Sequence, residues 1–313
     1  MFNVEQIIKS IRSNLTGNSY KDLTMLEEMY AKYENHPNSK EIIQELNIIA
    51  FSLLNEKDQI HNVEECYQEI GEMIAMKKYE DAYESIEDLI KKIEPYKVKG
   101  TYDIHEDIEA VVIYSMNHLP IENSRLPYSK VYELEGIILA RMERYDEAIQ
   151  ALDHAIEWNP GCNYYRIEKA DLYRLKGDIE QFMTLNLNLF PYLCKAEYVS
   201  TVYRNIGYYL IEKKDYENAI CSLTLSLNYQ ESDSTYQELS YIQNILQHEI
   251  DYPTMEKMER MSKKYHIPLS LNEELLSYIY TFGMNYLEKN KETGKYLLHI
   301  LYDLTKDEEL SKY

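Results

Sequence analysis

Apolar residues recur along most of the chain at intervals of three and four residues, the spacing that places them on one face of an α-helix. In the first sixty residues this pattern predicts three amphipathic helices, over 3–14, 20–35 and 39–56. The segments Gly17-Asn18-Ser19 and His36-Pro37-Asn38 separate them, because their residues favour turns. We therefore expect a helical N-terminal region.

The pattern is least regular between residues 97 and 127. One helix is predicted near 103–118, and the segment after it is bounded by Pro120 and Pro127. Proline at both ends disfavours a helix there. This stretch is either a flexible joint or a packed irregular linker, and the sequence favours the packed alternative.

The strongest signal is an internal repeat. The segments 129–162 and 200–233 carry large, small and aromatic residues at the same offsets. The shared positions are Tyr132 and Tyr203, Gly136 and Gly207, Leu139 and Leu210, Tyr145 and Tyr216, Ala148 and Ala219, and Leu152 and Leu223. A glycine on one helix and an alanine on the next let two antiparallel helices cross closely, so each segment is predicted to be a helical hairpin.

These offsets resemble those of the tetratricopeptide repeat, a unit of about 34 residues with a helix, a turn and a second helix. The resemblance implies an all-α fold, a right-handed α-α superhelix that forms a solenoid of antiparallel hairpins. The resemblance is to proteins of bacterial type in this family.

The resemblance also divides the chain. Residues 1–96 are read as N-terminal hairpins with one degenerate repeat at 63–96, where Ile70 replaces the expected glycine. Residues 97–127 form the linker. The array over 128–313 then comprises the segments 129–162, 163–196, 200–233, 234–267 and 270–306. The 71 residues from Ala148 to Ala219 place a small insertion near 195–199.

Charge and composition limit the function. Lys and Arg number 33 against 54 Asp and Glu, which gives a net charge of −21. Nucleic acids and anionic membranes would be repelled by this charge, so neither is expected as a partner. The four cysteines lie far apart and no apolar run is long enough to span a bilayer. We expect a cytoplasmic protein.

No combination of residues predicts catalysis. The chain has no phosphate-binding glycine loop, no nucleophile elbow and no His or Cys cluster at metal-ligand spacing. His105-Glu106-Asp107 is the nearest approach to a metal site, but acidic residues at a helix start commonly complement the helix dipole. We therefore expect no enzyme activity, no cofactor and no metal.

In the tetratricopeptide family, the first helix of each hairpin lines a concave groove. Carried over by position, the resemblance assigns this chain a candidate ligand-binding set: Ile137, Arg141, Tyr164, Ile167, Asp171, Arg174, Arg204 and Tyr208. Arginine is a bidentate donor for carboxylates or phosphates, and tyrosine supplies contact area for a peptide. The alternative is that the arginines only pair with neighbouring acids of the array.

Some members of the family hold a C-terminal carboxylate in a clamp of Lys, Asn and Arg. The corresponding positions here are Glu133, Ile137, Glu168, Thr201 and Asn205, so that ligand is not implied. The predicted function is a non-catalytic scaffold or adaptor that binds a peptide or helix of a protein partner. The alternative is a homo-oligomeric structural protein or a peptide-sensing regulator.

Overall fold

A computed structural model of the chain describes residues 4–16, 19–34, 36–94, 97, 100–124 and 126–313. The chain divides into two compact units, an N-terminal unit over 1–95 and a C-terminal unit over 96–313. Among the described helices, none has both the length and the apolar character that crossing a membrane requires.

The N-terminal unit is built on one long helix. Its helices are α1 (Val4–Ser13), α2 (Ser19–Tyr33), α3 (Ser39–Ala75) and α4 (Tyr79–Ile93). Both α1 and α2 pack on α3 through buried aliphatic side chains such as Ile11, Leu26 and Leu46. The C-terminal part of α3 pairs with α4, where Ile70, Ala82 and Ile86 are fully or almost fully buried.

The length of α3 corrects one prediction. The sequence predicts a helix that ends at residue 56, but α3 continues to Ala75. Residues 57–62 contain neither glycine nor proline. The apolar periodicity weakens there, yet nothing in the backbone forces the helix to end.

The C-terminal unit consists mainly of paired helices. These are α5 (Asp107–Asn117), α6 (Tyr128–Arg141), α7 (Tyr145–Trp158), α8 (Asn163–Leu175), α9 (Ile179–Leu187), α10 (Ala196–Glu212), α11 (Tyr216–Tyr229), α12 (Asp233–Leu246), α13 (Met255–Tyr265), α14 (Glu273–Lys289) and α15 (Lys291–Thr305). Successive helices pack as α6 with α7, α8 with α9, α10 with α11 and α14 with α15. The predicted all-α fold, built from antiparallel helical hairpins, is confirmed.

The small residues of the repeat lie where two helices cross. A Cβ added to Gly136 would lie 3.3 Å from Cγ of Leu152. At Gly207 the added atom would lie only 2.6 Å from Cδ2 of Leu223. Ala148 and Ala219, the small residues opposite, are 0% exposed. The close crossing inferred from the sequence is therefore present in both hairpins.

The turns inside the hairpins repeat as well. The middle residue of each three-residue turn has a left-handed backbone: Lys77 with φ 60°, Glu143 with φ 60°, Gly177 with φ 81° and Lys214 with φ 58°. The last three stand 34 and 37 residues apart. The distance from a turn to the next first helix hardly changes, at 20 residues from Glu143 to Asn163 and 19 from Gly177 to Ala196. The three additional residues therefore lie within α10, which has 17 residues where α8 has 13.

The segment before α6 is packed rather than loose. Thr101–Tyr102 and Glu122–Asn123 form a short parallel strand pair around α5. Three residues of α5, Ile108, Val111 and Val112, join the main core of the unit. A Cβ on Gly161, in the loop between α7 and α8, would lie 2.4 Å from the carbonyl oxygen of Glu109, so α5 contacts that loop closely.

The last helices depart from simple stacking. α13 packs on α11, while α12 packs on α10 and α11. The final hairpin turns back, with α14 against α5 and α15 against α5 and α10. The Tyr114 ring of α5 contacts Tyr278 and Phe282 of α14, with ring centroids 5.6 and 5.2 Å apart. Helices α5 and α14, which are distant in sequence, thus pack against each other within the C-terminal unit.

Candidate functional site

A cavity of about 220 Å³ lies between the first helices of two adjacent hairpins, α6 and α8. Its lining residues are Glu133, Gly136, Ile137, Ala140, Arg141, Leu152, Tyr164, Glu168, Asp171, Leu172 and Leu175. The small residues Gly136 and Ala140 leave room on α6, and the remaining wall combines four aliphatic side chains, four charged ones and the Tyr164 ring. This is the face that the repeat pattern predicts to be the inner one.

Four of the eight candidate residues meet at this cavity. Ile137 and Arg141 come from α6, and Tyr164 and Asp171 come from α8. Arg141 is exposed, and none of the ion pairs found in the described residues involves it. An unpaired guanidinium therefore stands at the edge of a partly apolar cavity.

A second group of candidates lies beside the cavity. Arg174 donates through Nε to Oδ1 of Asp171 at 2.6 Å and through a terminal nitrogen to Oδ2 at 3.1 Å. This bidentate contact raises the pKa of Arg174. The guanidinium also lies 5.4 Å from the centre of the Tyr208 ring. Arg174 thus already has a carboxylate partner on its own helix.

Arg204 of α10 faces a carboxylate that was not among the candidates. Oε2 of Glu238, on α12, is buried without a hydrogen-bond partner in the described structure. Burial raises the pKa of Glu238 to about 7, and the nearby Arg204 and Arg174 only partly offset this. In the repeat register that yields Arg204, the segment beginning at 234 yields Glu238, so the same pattern could have identified it.

Ile167 occupies a different environment from the other candidates. Its side chain is 7% exposed and belongs to the hydrophobic core of the unit. In this structure it packs into the core beneath α8 and is not among the residues that line the cavity.

Two carboxylates in the cavity have no cationic partner within ion-pair distance in the described residues. Burial raises the pKa of Glu133, and the Tyr165 hydroxyl, within hydrogen-bonding reach, offsets part of this. Burial also raises the pKa of Glu168, with further contributions from the negative charges of Asp171 and Glu133. Raised values show that ionisation of these groups is opposed where they stand.

A buried polar network near the start of α6 superficially resembles a catalytic triad. Oγ of Ser129 donates to Oδ2 of Asp103 at 2.7 Å and lies 2.9 Å from Nε2 of His105. Ser129 is 0% exposed, and its proton is directed to the aspartate rather than to the histidine. The network holds residues 103–105 against α6 and offers no accessible nucleophile.

The acidic residues at the start of α5 are likewise engaged. Oε2 of Glu109 accepts hydrogen bonds from the backbone N–H of His105 and from Nδ2 of Asn159, at 2.8 and 2.9 Å. Glu106 accepts from Lys195 Nζ at 2.6 Å and from the Tyr296 hydroxyl. These carboxylates fix α5 to its neighbours, as expected for acids that serve a helix start.

Comparisons with known proteins add little to this geometry. No protein-family model matches the chain, and no curated protein is similar to it. Among solved structures, the chain is similar to one described as the crystal structure of the APC/C hetero-tetramer Cut9-Hcn1, with 11% identity and a TM-score of 0.39. The match covers 98% of this chain and 58% of the other, so this chain spans less than two thirds of its length.

Proposed function

We propose that the chain is a non-catalytic interaction scaffold, a divergent tetratricopeptide-repeat protein that binds a peptide or a helix of a protein partner along α6, α8 and α10. The observation that supports this proposal is the cavity between α6 and α8. It combines apolar walls with polar groups from the two helices, the composition of sites that recognise other molecules.

The neighbouring surface extends this binding face. Tyr208 and Arg204 continue from the cavity along α10, and both are partly exposed. A flexible peptide could therefore place one side chain in the cavity and make further contacts with α10. Tyrosine and arginine are enriched among the residues that contribute most to such interfaces.

The test is to fill the cavity without changing its charge. Ala140→Phe places a ring where α6 borders the cavity, and Gln150→Phe adds the same ring at an exposed position on α7. The full chain is immobilised and presented with a library of short capped peptides of randomised sequence, and the retained peptides are sequenced and titrated.

Ala140→Phe should reduce the binding free energy of the retained peptides by about 1.5–3 kcal/mol, because the contact area of one buried side chain is lost. Gln150→Phe should bind them as the native chain does. Equal affinity for the native chain and Ala140→Phe would reject the cavity as the binding site. Capture of partners from the native cell, followed by mass spectrometry, would then identify the physiological ligand.

Self-association is a second candidate, supported by exposed side chains of α12, of the loop after it and of the first residue of α13. Tyr236 is 46% exposed, Tyr241 54%, Tyr252 74% and Met255 67%. Uncovered apolar groups of this size are common at protein contacts. If they join copies of the chain, light scattering should give a mass that rises with concentration and falls when Tyr241 is replaced by Lys.

A further inference from the structure

The carboxylates of the cavity between α6 and α8 indicate which ligand side chain it accepts. Glu133 projects from α6 and Glu168 from α8, so the two helices bring negative groups to one enclosed space. Both residues are only partly accessible, and neither makes an ion pair within the described residues. The cavity therefore holds two half-buried carboxylates that have no ion-pair partner among the described residues.

The positive groups nearby do not fill this role. The positive charge of Lys130 lowers the pKa of Glu133, but Lys130 is exposed and is not part of the cavity lining. Arg174 is engaged by Asp171. Arg141 lines the cavity but is exposed at the C-terminal end of α6. The cavity has three acidic residues and one basic residue in its lining, so its charge is negative.

The remaining walls suit a long aliphatic stem. Ile137, Ala140, Leu172 and Leu175 supply apolar surface, and the Tyr164 ring supplies an aromatic one. Lysine and arginine bury their methylene groups along such surfaces while their charged ends reach polar partners. A cation near an aromatic ring gains further electrostatic attraction.

We infer that this cavity binds the side chain of a lysine or an arginine from the bound peptide, with its cationic end at Glu133 and Glu168. This inference rests on the proposed peptide-binding function and specifies its chemistry. An acidic side chain in the cavity would face two carboxylates. A purely apolar side chain would cover both carboxylates and leave their charges unpaired, which is costly.

The experiment uses the full chain and the same library of capped peptides. Sequences retained by the native chain should contain lysine or arginine at one common position. Each selected peptide is then resynthesised with norleucine there, which keeps the stem and removes the charge. The native chain should bind the norleucine peptide at least about tenfold more weakly, because a hydrogen bond to a charged group is lost.

The double variant Glu133→Gln, Glu168→Gln should lose this discrimination and bind the lysine and norleucine peptides with similar affinity. Glu157→Gln, which removes one charge from an exposed position on α7, is the control and should discriminate as the native chain does. Each single glutamine variant should lose part of the discrimination between the lysine and norleucine peptides. The single variants therefore test the inference even if the double variant does not fold.

The outcomes separate this inference from the proposed function. Retained peptides that bind the native chain but not Ala140→Phe would support the proposed binding site. If such peptides bind equally well with norleucine, or carry an acidic residue at the common position, the proposed function is kept and the cation-binding role of the cavity is rejected. If no peptide is retained, or if Ala140→Phe retains the same peptides, both are rejected.

Discussion

The two glycines of the repeat are expected to respond differently to the same substitution. Gly136 and Gly207 occupy equivalent positions on α6 and α10. A Cβ at Gly207 would lie 2.6 Å from Cδ2 and 2.8 Å from Cγ of Leu223. At Gly136 the nearest atoms, Cγ and Cδ2 of Leu152, would lie at 3.3 and 3.4 Å. Leu223 is 0% exposed, so it has little room to move.

The expected magnitudes follow from two opposing effects. Glycine to alanine inside a helix gains about 0.8–1 kcal/mol from helix propensity at either position. Overpacking a tight contact costs about 1–3 kcal/mol, and this cost applies mainly to Gly207. Gly136→Ala should therefore range from neutral to stabilising by about 1 kcal/mol. Gly207→Ala should be less stable than Gly136→Ala by about 1–3 kcal/mol.

Urea unfolding of the two variants measures this difference. The chain has a single tryptophan, Trp158, which stacks on Tyr128 with ring centroids 4.1 Å apart and reports on the C-terminal unit. A fall in midpoint at unchanged slope shows a change in stability alone. Hydrogen exchange of the α10 and α11 amides should accelerate in Gly207→Ala. Equal free energies of unfolding for the two variants would refute the close crossing of α10 and α11.

Two further predictions concern a turn and a buried carboxyl. Lys214→Gly should stabilise the chain by about 0.5–1 kcal/mol, since glycine adopts the left-handed conformation without the steric cost that lysine bears there. Lys213→Gly, at φ −78°, should destabilise it, and urea midpoints that fall for both would reject the strained turn. Glu238, whose pKa is raised to about 7, should not change stability below its unfolded pKa near 4.5, should lower the free energy of unfolding as the pH rises from about 4.5 to about 7, and should lower it no further above that pH. The free energy of unfolding of Glu238→Gln should therefore equal that of the native chain at pH 4 and exceed it by about 1–2 kcal/mol at pH 8, after allowance for solvent screening. Urea unfolding at both pH values measures this, and a difference that does not change with pH would contradict it.

The hairpins could be predicted from the sequence because each depends on local, repeated contacts. Gly207 meets Leu223 and Ala219 within one repeat, so the steric requirement is visible as a fixed offset. The contact between α5 and α14 has no such signature. His118 and Tyr278 approach each other across 160 positions that share no repeat relation. The sequence does not predict the continuation of α3 to Ala75, because the apolar periodicity that marks a helix weakens after residue 56 while the helical backbone continues.

The candidate site shows a similar division. The repeat register placed Ile137, Arg141 and Tyr164 on the helices that border the cavity. It could not show that Arg174 would bind Asp171 three residues away, because the side-chain conformations decide that contact. Nor could it show that Glu238 would be buried, because α12 packs on α10 and α11 in a way that the repeat alone does not specify.

The return of the last hairpin onto α5 has a consequence for how the C-terminal unit unfolds. In a linear repeat array the terminal unit has one neighbour, so unfolding begins at an end and spreads inward. Here α14 and α15 contact α5 as well as α10, so opening that hairpin also uncovers a helix from the other end of the unit. The two ends are thereby coupled, and they should open together rather than one at a time.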